Sequence, residues 1–86
     1  MPRFILYSRS YCHLCDDMLK ALNALLGDAA IPIDVIDVDA DPALVTLYDE
    51  LVPVLVGIRD AQAPRQLCHY VLDENAVRVF LGGDGH

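Results

Sequence analysis

Cys12-His13-Leu14-Cys15 sets two thiols three residues apart, and two thiols that close can cycle between dithiol and disulfide or supply half of a zinc site. Cys68 and His69 are the remaining donors that would complete a zinc set of three sulfurs and one nitrogen. Adjacent residues on a strand point to opposite faces, so Cys68 and His69 do not easily converge on one ion, and no metal is expected. The placement of the pair favours redox use. It follows the polar stretch Ser8-Arg9-Ser10 and opens a run with helical periodicity, where unpaired backbone N–H groups and the positive end of the helix dipole gather. A thiolate is favoured there, and the thiolate is the attacking species. Arg9 and a protonated His13 add positive potential, whereas Asp16 and Asp17 oppose it, so a moderate depression of the Cys12 pKa is expected.

The two sulfurs are not equivalent. Cys15 is in phase with Met18, Leu19, Leu22 and Leu26 on an inward stripe, while Cys12 precedes the helix proper and reaches solvent. Cys12 is therefore the expected nucleophile and Cys15 the expected resolving thiol. Side chains three apart on a helix have Cβ atoms about 5–6 Å apart, and a relaxed disulfide needs about 3.8 Å. Closing the ring tightens the first turn, which suits a reducible bond more than a structural staple. Cys68 is expected to be a small buried hydrophobe.

The whole chain sets the context for this chemistry. With 86 residues there is room for a single domain, residues 1–86, built on one core. It is 55% hydrophobic, and no apolar run approaches the roughly 20 residues that span a bilayer. Thirteen acidic against six basic residues leave a net charge of −7, which repels phosphate backbones and anionic lipid surfaces, so neither nucleic acid nor membrane is expected as a partner. The segment Met1 to Tyr7 lacks a long apolar stretch followed by a cleavage site and does not read as a signal peptide. An odd count of three cysteines fits a reducing compartment, and the cytoplasm is the expected location of a monomer.

The elements that must hold Cys12 and Cys15 follow from patterning. Phe4 to Tyr7 is a short buried strand. Helix one runs from Cys15 to a Gly27 cap. Ile31 to Val38, rich in β-branched residues, is strand two, with both faces expected to be covered. Asp41-Pro42 provides an N-cap and a first-turn proline for helix two, whose apolar face is Leu44, Val45, Leu47, Tyr48 and Leu51. The acids Asp34, Asp37, Asp39 and Asp41 border the strand and cap the helix. Val52 to Gly57 forms strand three with Pro53 at its start. A turn over Arg59 to Arg65, containing Asp60 and Pro64, leads to strand four, Gln66 to Val71. Asp73 caps a last helix with Ala76, Val77, Phe80 and Leu81 inward and Gly82-Gly83 at its end, and His86 is a mobile terminus. Strand-helix-strand-helix-strand-strand-helix implies a parallel crossover followed by an antiparallel hairpin, hence an α/β fold with a mixed four-stranded sheet flanked by three helices.

Two segments resemble the glutaredoxin-like branch of the thioredoxin-fold superfamily: Leu6-Tyr7-Ser8-Arg9-Ser10-Tyr11-Cys12-His13-Leu14-Cys15, with a basic residue three before the first cysteine, and Leu51-Val52-Pro53-Val54-Leu55-Val56. The likeness runs nearly end to end and implies a thioredoxin fold. It also implies a thiol–disulfide oxidoreductase that reduces protein disulfides or glutathione mixed disulfides, with no bound cofactor, glutathione as a cosubstrate, and a thiol or dithiol reductant. By the same resemblance the Val52-Pro53 bond is cis and lies against the cysteines, with the Val52 backbone open to an extended substrate. Arg9 meets a carboxylate of glutathione, Tyr11 flanks the pocket, and Asp73 holds the glutamyl end. The chain departs from the family in having His13 and Leu14 where proline and tyrosine are usual, and Tyr70-Val71-Leu72 where a glycine pair is usual. Two other readings of the residues remain: a non-catalytic binding module of this fold, and a zinc site using Cys12, Cys15 and Cys68.

Overall fold

The computed structural model describes residues 2–59 and 62–82. Strand β1 (Arg3–Ser8) leads into helix α1 (His13–Leu26), then strand β2 (Ile33–Asp37), a single 3-10 turn (Val38–Ala40) and helix α2 (Pro42–Tyr48). Strands β3 (Val54–Ile58) and β4 (Arg65–His69) and helix α3 (Glu74–Phe80) complete the chain. The sheet order is β2-β1-β3-β4, with β1 parallel to β2 and antiparallel to β3, and β3 antiparallel to β4. This is the mixed four-stranded sheet with three helices expected of a thioredoxin fold.

Strand alternation sorts the sheet into two faces. Phe4, Leu6 and Leu55 point to one face and pack with Met18 and Leu22 of α1 and Val77 and Phe80 of α3 into the main core. Gly57 belongs to that face, where a Cβ would stand 2.7 Å from the Phe80 ring; the missing side chain is what lets α3 approach the strand. Tyr7 points to the other face and stacks on Tyr48 of α2 with ring centroids 4.6 Å apart. The predicted caps at Asp41, Asp73 and Gly27 act at their positions. Asp41 accepts a hydrogen bond from the Ala43 amide at 2.9 Å, Asp73 accepts one from the Ala76 amide at 3.0 Å, and Gly27 ends α1 with φ of 56°.

Several expectations need correction. Helix α1 opens at His13, two residues ahead of Cys15, and β3 opens at Val54, so Val52 and Pro53 precede the strand rather than begin it. Strand two is shorter than Ile31 to Val38, and Val35 is half exposed, because β2 is the edge of the sheet rather than a strand covered on both faces. Helix two closes at Tyr48 with no fully buried residue, and Leu47 points to solvent rather than to the core. Strand four ends at His69, since Tyr70 adopts a φ of 64° that breaks the extended run before Val71. Asp60 of the predicted turn, Gly83 at the last helix end, and His86 lie outside the described residues.

Candidate redox site

Strand register brings the predicted residues to one end of the sheet. Tyr7 pairs with Val54, and Val54 with His69. The loop after β1, the segment before β3 and the loop after β4 therefore leave the sheet on the same side. Ser8 pairs with Asp37 of the parallel strand β2, which adds the 3-10 turn to this end. Cys12, Val52, Pro53, Tyr70 and Asp73 all lie on segments that leave the sheet at this end.

Cys12 is the N-cap of α1. Its backbone is extended, and its Sγ accepts a hydrogen bond from the Cys15 amide at 3.2 Å. Sulfur here does what a serine or aspartate oxygen commonly does at a helix start. The Cα atoms of Cys12 and Cys15 are 5.2 Å apart and the sulfurs are in disulfide contact. Cys15 is buried at 4% exposure, on the same stripe as Met18 and Leu22, whereas Cys12 is only partly covered. His13 is the exposed first residue of the helix. Tyr11, just before Cys12, is fully exposed and holds a φ of 60°.

The Val52-Pro53 bond is cis, and Pro53 is fully buried. The Tyr70 amide donates to the Pro53 carbonyl at 3.0 Å, and the Tyr70 hydroxyl donates to the Glu50 carbonyl. These two bonds lock the loop after β4 onto the segment before β3. Among the described residues, the amide and carbonyl of Val52 make no backbone hydrogen bond, so they remain available to an extended partner.

Arg9 is placed differently from a free anion contact. Its Nε and Nη2 bind the two oxygens of Asp39 at 3.1 Å each, and Nη2 also meets Asp49 at 2.7 Å. Hydrogen bonds to Asp49 and then Asp39 raise its already high pKa. The guanidinium thus joins the sulfur-bearing loop to the 3-10 turn and to the end of α2. In the sequence Asp39 reads only as part of an acidic run and nothing marks Asp49; both lie far from Arg9 along the chain, so no local pattern signals the triad.

Cys68 faces the main core from β4, opposite Leu55. Burial pushes its thiol pKa up, the nearby Asp73 amide lowers it, and the Asp73 charge raises it. Asp73 is thereby engaged on two sides, capping α3 and lying against Cys68. Among the described residues no group of three or more His, Cys, Asp or Glu side chains is placed to hold a metal ion, so Cys68 and His69 do not join Cys12 and Cys15 as one ligand set. No helix among the described residues is long and apolar enough to cross a membrane.

Comparison with known proteins agrees with this geometry. The profile of a family described as Glutaredoxin-like domain (DUF836) matches residues 3–82. A protein of Nitrosomonas europaea, solved by NMR, superposes with a TM-score of 0.80 at 32% identity, over 92% of this chain and 89% of its own. An X-ray structure from X. campestris superposes at 0.67 with 34% identity, over 92% and 95%. Thioredoxin 1 of Thermosipho africanus, at 20% identity and a TM-score of 0.60 over 93% and 94%, shares the fold. No curated protein matches the chain.

Proposed function

The chain belongs to the glutaredoxin-like domain family, and we propose that it is a thiol–disulfide oxidoreductase with Cys12 as nucleophile and Cys15 as resolving thiol. The observation that carries this reading is the pair itself: an accessible sulfur at a helix start, a buried sulfur within disulfide contact behind it, and an amide N–H aimed at the outer one. An N–H donated to sulfur favours its charged form, as does the helix dipole.

In the reductive direction the Cys12 thiolate attacks one sulfur of a substrate disulfide. The old S–S bond breaks, and the departing thiolate takes up a proton. The Cys15 thiol, giving up its proton, then attacks Cys12 sulfur and expels the second substrate thiol. Two electrons have passed to the substrate, and the protein holds the Cys12–Cys15 disulfide. A thiol or dithiol reductant reverses that last state. Substrates of the reading are protein disulfides or glutathione mixed disulfides. Tyr11, Val52 and Pro53 border the approach to Cys12, and the unpaired Val52 backbone can hold an extended segment as a short strand. His13 tunes Cys12 by its charge when protonated. Arg9 and Asp73 act mainly as positioning groups, through Asp39 and Asp49 in one case and through the start of α3 in the other.

Cys12→Ser tests the reading cleanly because serine is itself a good N-cap, so the helix start survives the substitution. Reduction of 2-hydroxyethyl disulfide should be abolished while circular dichroism stays unchanged; an undiminished rate would overturn the assignment. Cys15→Ser should instead accumulate a mixed disulfide on Cys12, detectable by mass spectrometry.

A further inference from the structure

Beside the cysteine pair lies a groove of about 320 Å³ between α1 and the loop that precedes α3. Leu14, inside the pair, and Met18 form one wall; Val71 and Leu72 form the other; Asp17 and Glu74 stand at the rim. Large hydrophobic side chains crowd this end of the molecule. Of the seven that are exposed among the described residues, Tyr11, Leu14, Tyr70 and Val71 are here, with Val71 at 70%. Such clustering marks a contact surface rather than scattered exposure. The backbone supports the same view. Tyr11 and Tyr70 are the two non-glycine residues described with positive φ, a conformation that a bulky side chain holds only where its surroundings enforce it. For Tyr70 those surroundings are the bonds to Pro53 and Glu50.

Charge then narrows the occupant. Asp16, Asp17, Asp73 and Glu74 all belong to this end. Arg9, the cation nearest to Cys12 in sequence on the loop, is neutralised by Asp39 and Asp49. Arg78 pairs with Glu74 at 3.1 Å, but both side chains are more than half exposed, so the pair is weak and open to exchange. Lys20, one turn beyond Asp16 and Asp17, is the remaining cation of α1. The rim stays net acidic. Glutathione carries two carboxylates against one ammonium and no apolar side chain, so its net negative charge suits the acidic rim poorly and it offers nothing to the apolar wall. A cationic, partly apolar protein segment matches both.

We propose that this groove selects the substrate, so that Cys12 acts on a protein disulfide whose cysteine is flanked by an apolar side chain that enters the groove and by a lysine or arginine that meets Asp17 and Glu74, in preference to glutathione mixed disulfides. The inference rests on the exchange reading above. Bond making and breaking are as described there: the Cys12 thiolate displaces one sulfur, Cys15 expels the other, and a thiol reductant supplies the two electrons back.

The test uses mixed disulfides of short cysteine peptides with thionitrobenzoate, whose release is coloured. One peptide flanks its cysteine with leucine and lysine, a second with leucine and glutamate, a third with serine and lysine; the glutathione mixed disulfide is the comparator. Rates are normalised to those of dithiothreitol on the same probes. The leucine-lysine peptide should exceed glutathione by about tenfold in kcat/KM, from one apolar contact and one or two exposed charge pairs, and the advantage should shrink at high salt. Asp17→Lys should reverse the preference between the lysine and glutamate peptides. Val71→Ser, at an exposed position, should erase the preference for leucine over serine. If wild-type protein reduces 2-hydroxyethyl disulfide through Cys12 yet treats all four probes alike, the groove proposal is overturned and the exchange reading stands. If neither the hydroxyethyl disulfide nor any probe reacts, the exchange reading itself fails and takes the groove proposal with it.

Discussion

The two faces of the sheet hold their helices by different means. Under α1 and α3, Phe4, Leu6, Met18, Leu22, Leu55, Val77 and Phe80 interlock as one buried cluster. Under α2, the strand side chains Val54 and Val56 are buried, but the helix itself contributes no fully buried residue. Its attachment comes from the Tyr7–Tyr48 stack and from Arg9 gripping Asp39 and Asp49. Apolar burial is proportional to area and is not screened by salt, whereas exposed ion pairs contribute little and are screened. The sulfur-bearing loop sits between these regimes: Cys15 is anchored in the first face, while Arg9, three residues before Cys12, is tied to the second. The reactive pair thus has a firm back and a softer flank.

Substitutions should separate the faces by magnitude. Phe80→Ala is expected to cost about 3–5 kcal/mol in urea unfolding, since Phe80 packs on Phe4 with ring centroids 5.5 Å apart and is 5% exposed. The matching truncation under α2, Leu47→Ala, should stay within about 0.5 kcal/mol. A large loss at Leu47 would show that α2 packs as α3 does. Gly57→Ala comes next, at about 1–3 kcal/mol, because its Cβ would collide with the Phe80 ring. Pairing it with a smaller residue at position 80 should recover part of the loss. Asp41→Ala should cost about 1 kcal/mol by removing the cap of α2, with amide exchange accelerated in that helix and unchanged in α1.

Smaller effects probe the electrostatic flank. Arg9→Gln should lower the melting temperature slightly, and the difference from wild type should fade at high salt; a loss independent of salt would mean that Arg9 serves through packing. Cys68 gives a pH signature of opposite origin. Its folded-state pKa is raised, first by burial, so it favours the native state fully at pH below its unfolded value of about 8.5. That contribution is lost as pH climbs through the folded value. Cys68→Ala should therefore flatten the alkaline fall in stability, and at pH 8 Cys68 should alkylate much more slowly than reduced Cys12.

Local signals were legible wherever the cause is local. Asp41 and Asp73 cap helices because a carboxylate reaches an amide two or three residues ahead, and Gly27 ends α1 because only a residue free of Cβ turns there cheaply. The α1 stripe of Cys15, Met18 and Leu22 follows from helical spacing alone. Local patterning misleads where a neighbour decides. Val35 and Leu47 have apolar patterns, yet an edge position and a short, shallow helix leave them in water.

The order of elements, the loop-to-helix junction at the cysteine pair and the inward stripe behind it were determined along the chain itself, because hydrogen bonds of a few residues' reach and a repeating period write them there. The partners of Arg9, at separations of 30 and 40 residues, were decided only in three dimensions. So were the bond from Tyr70 to Pro53 and the groove that joins Leu14 to Val71. Strand register brings such groups together, and register depends on which strands pair, a choice made by burial over the whole sheet and not by any single segment.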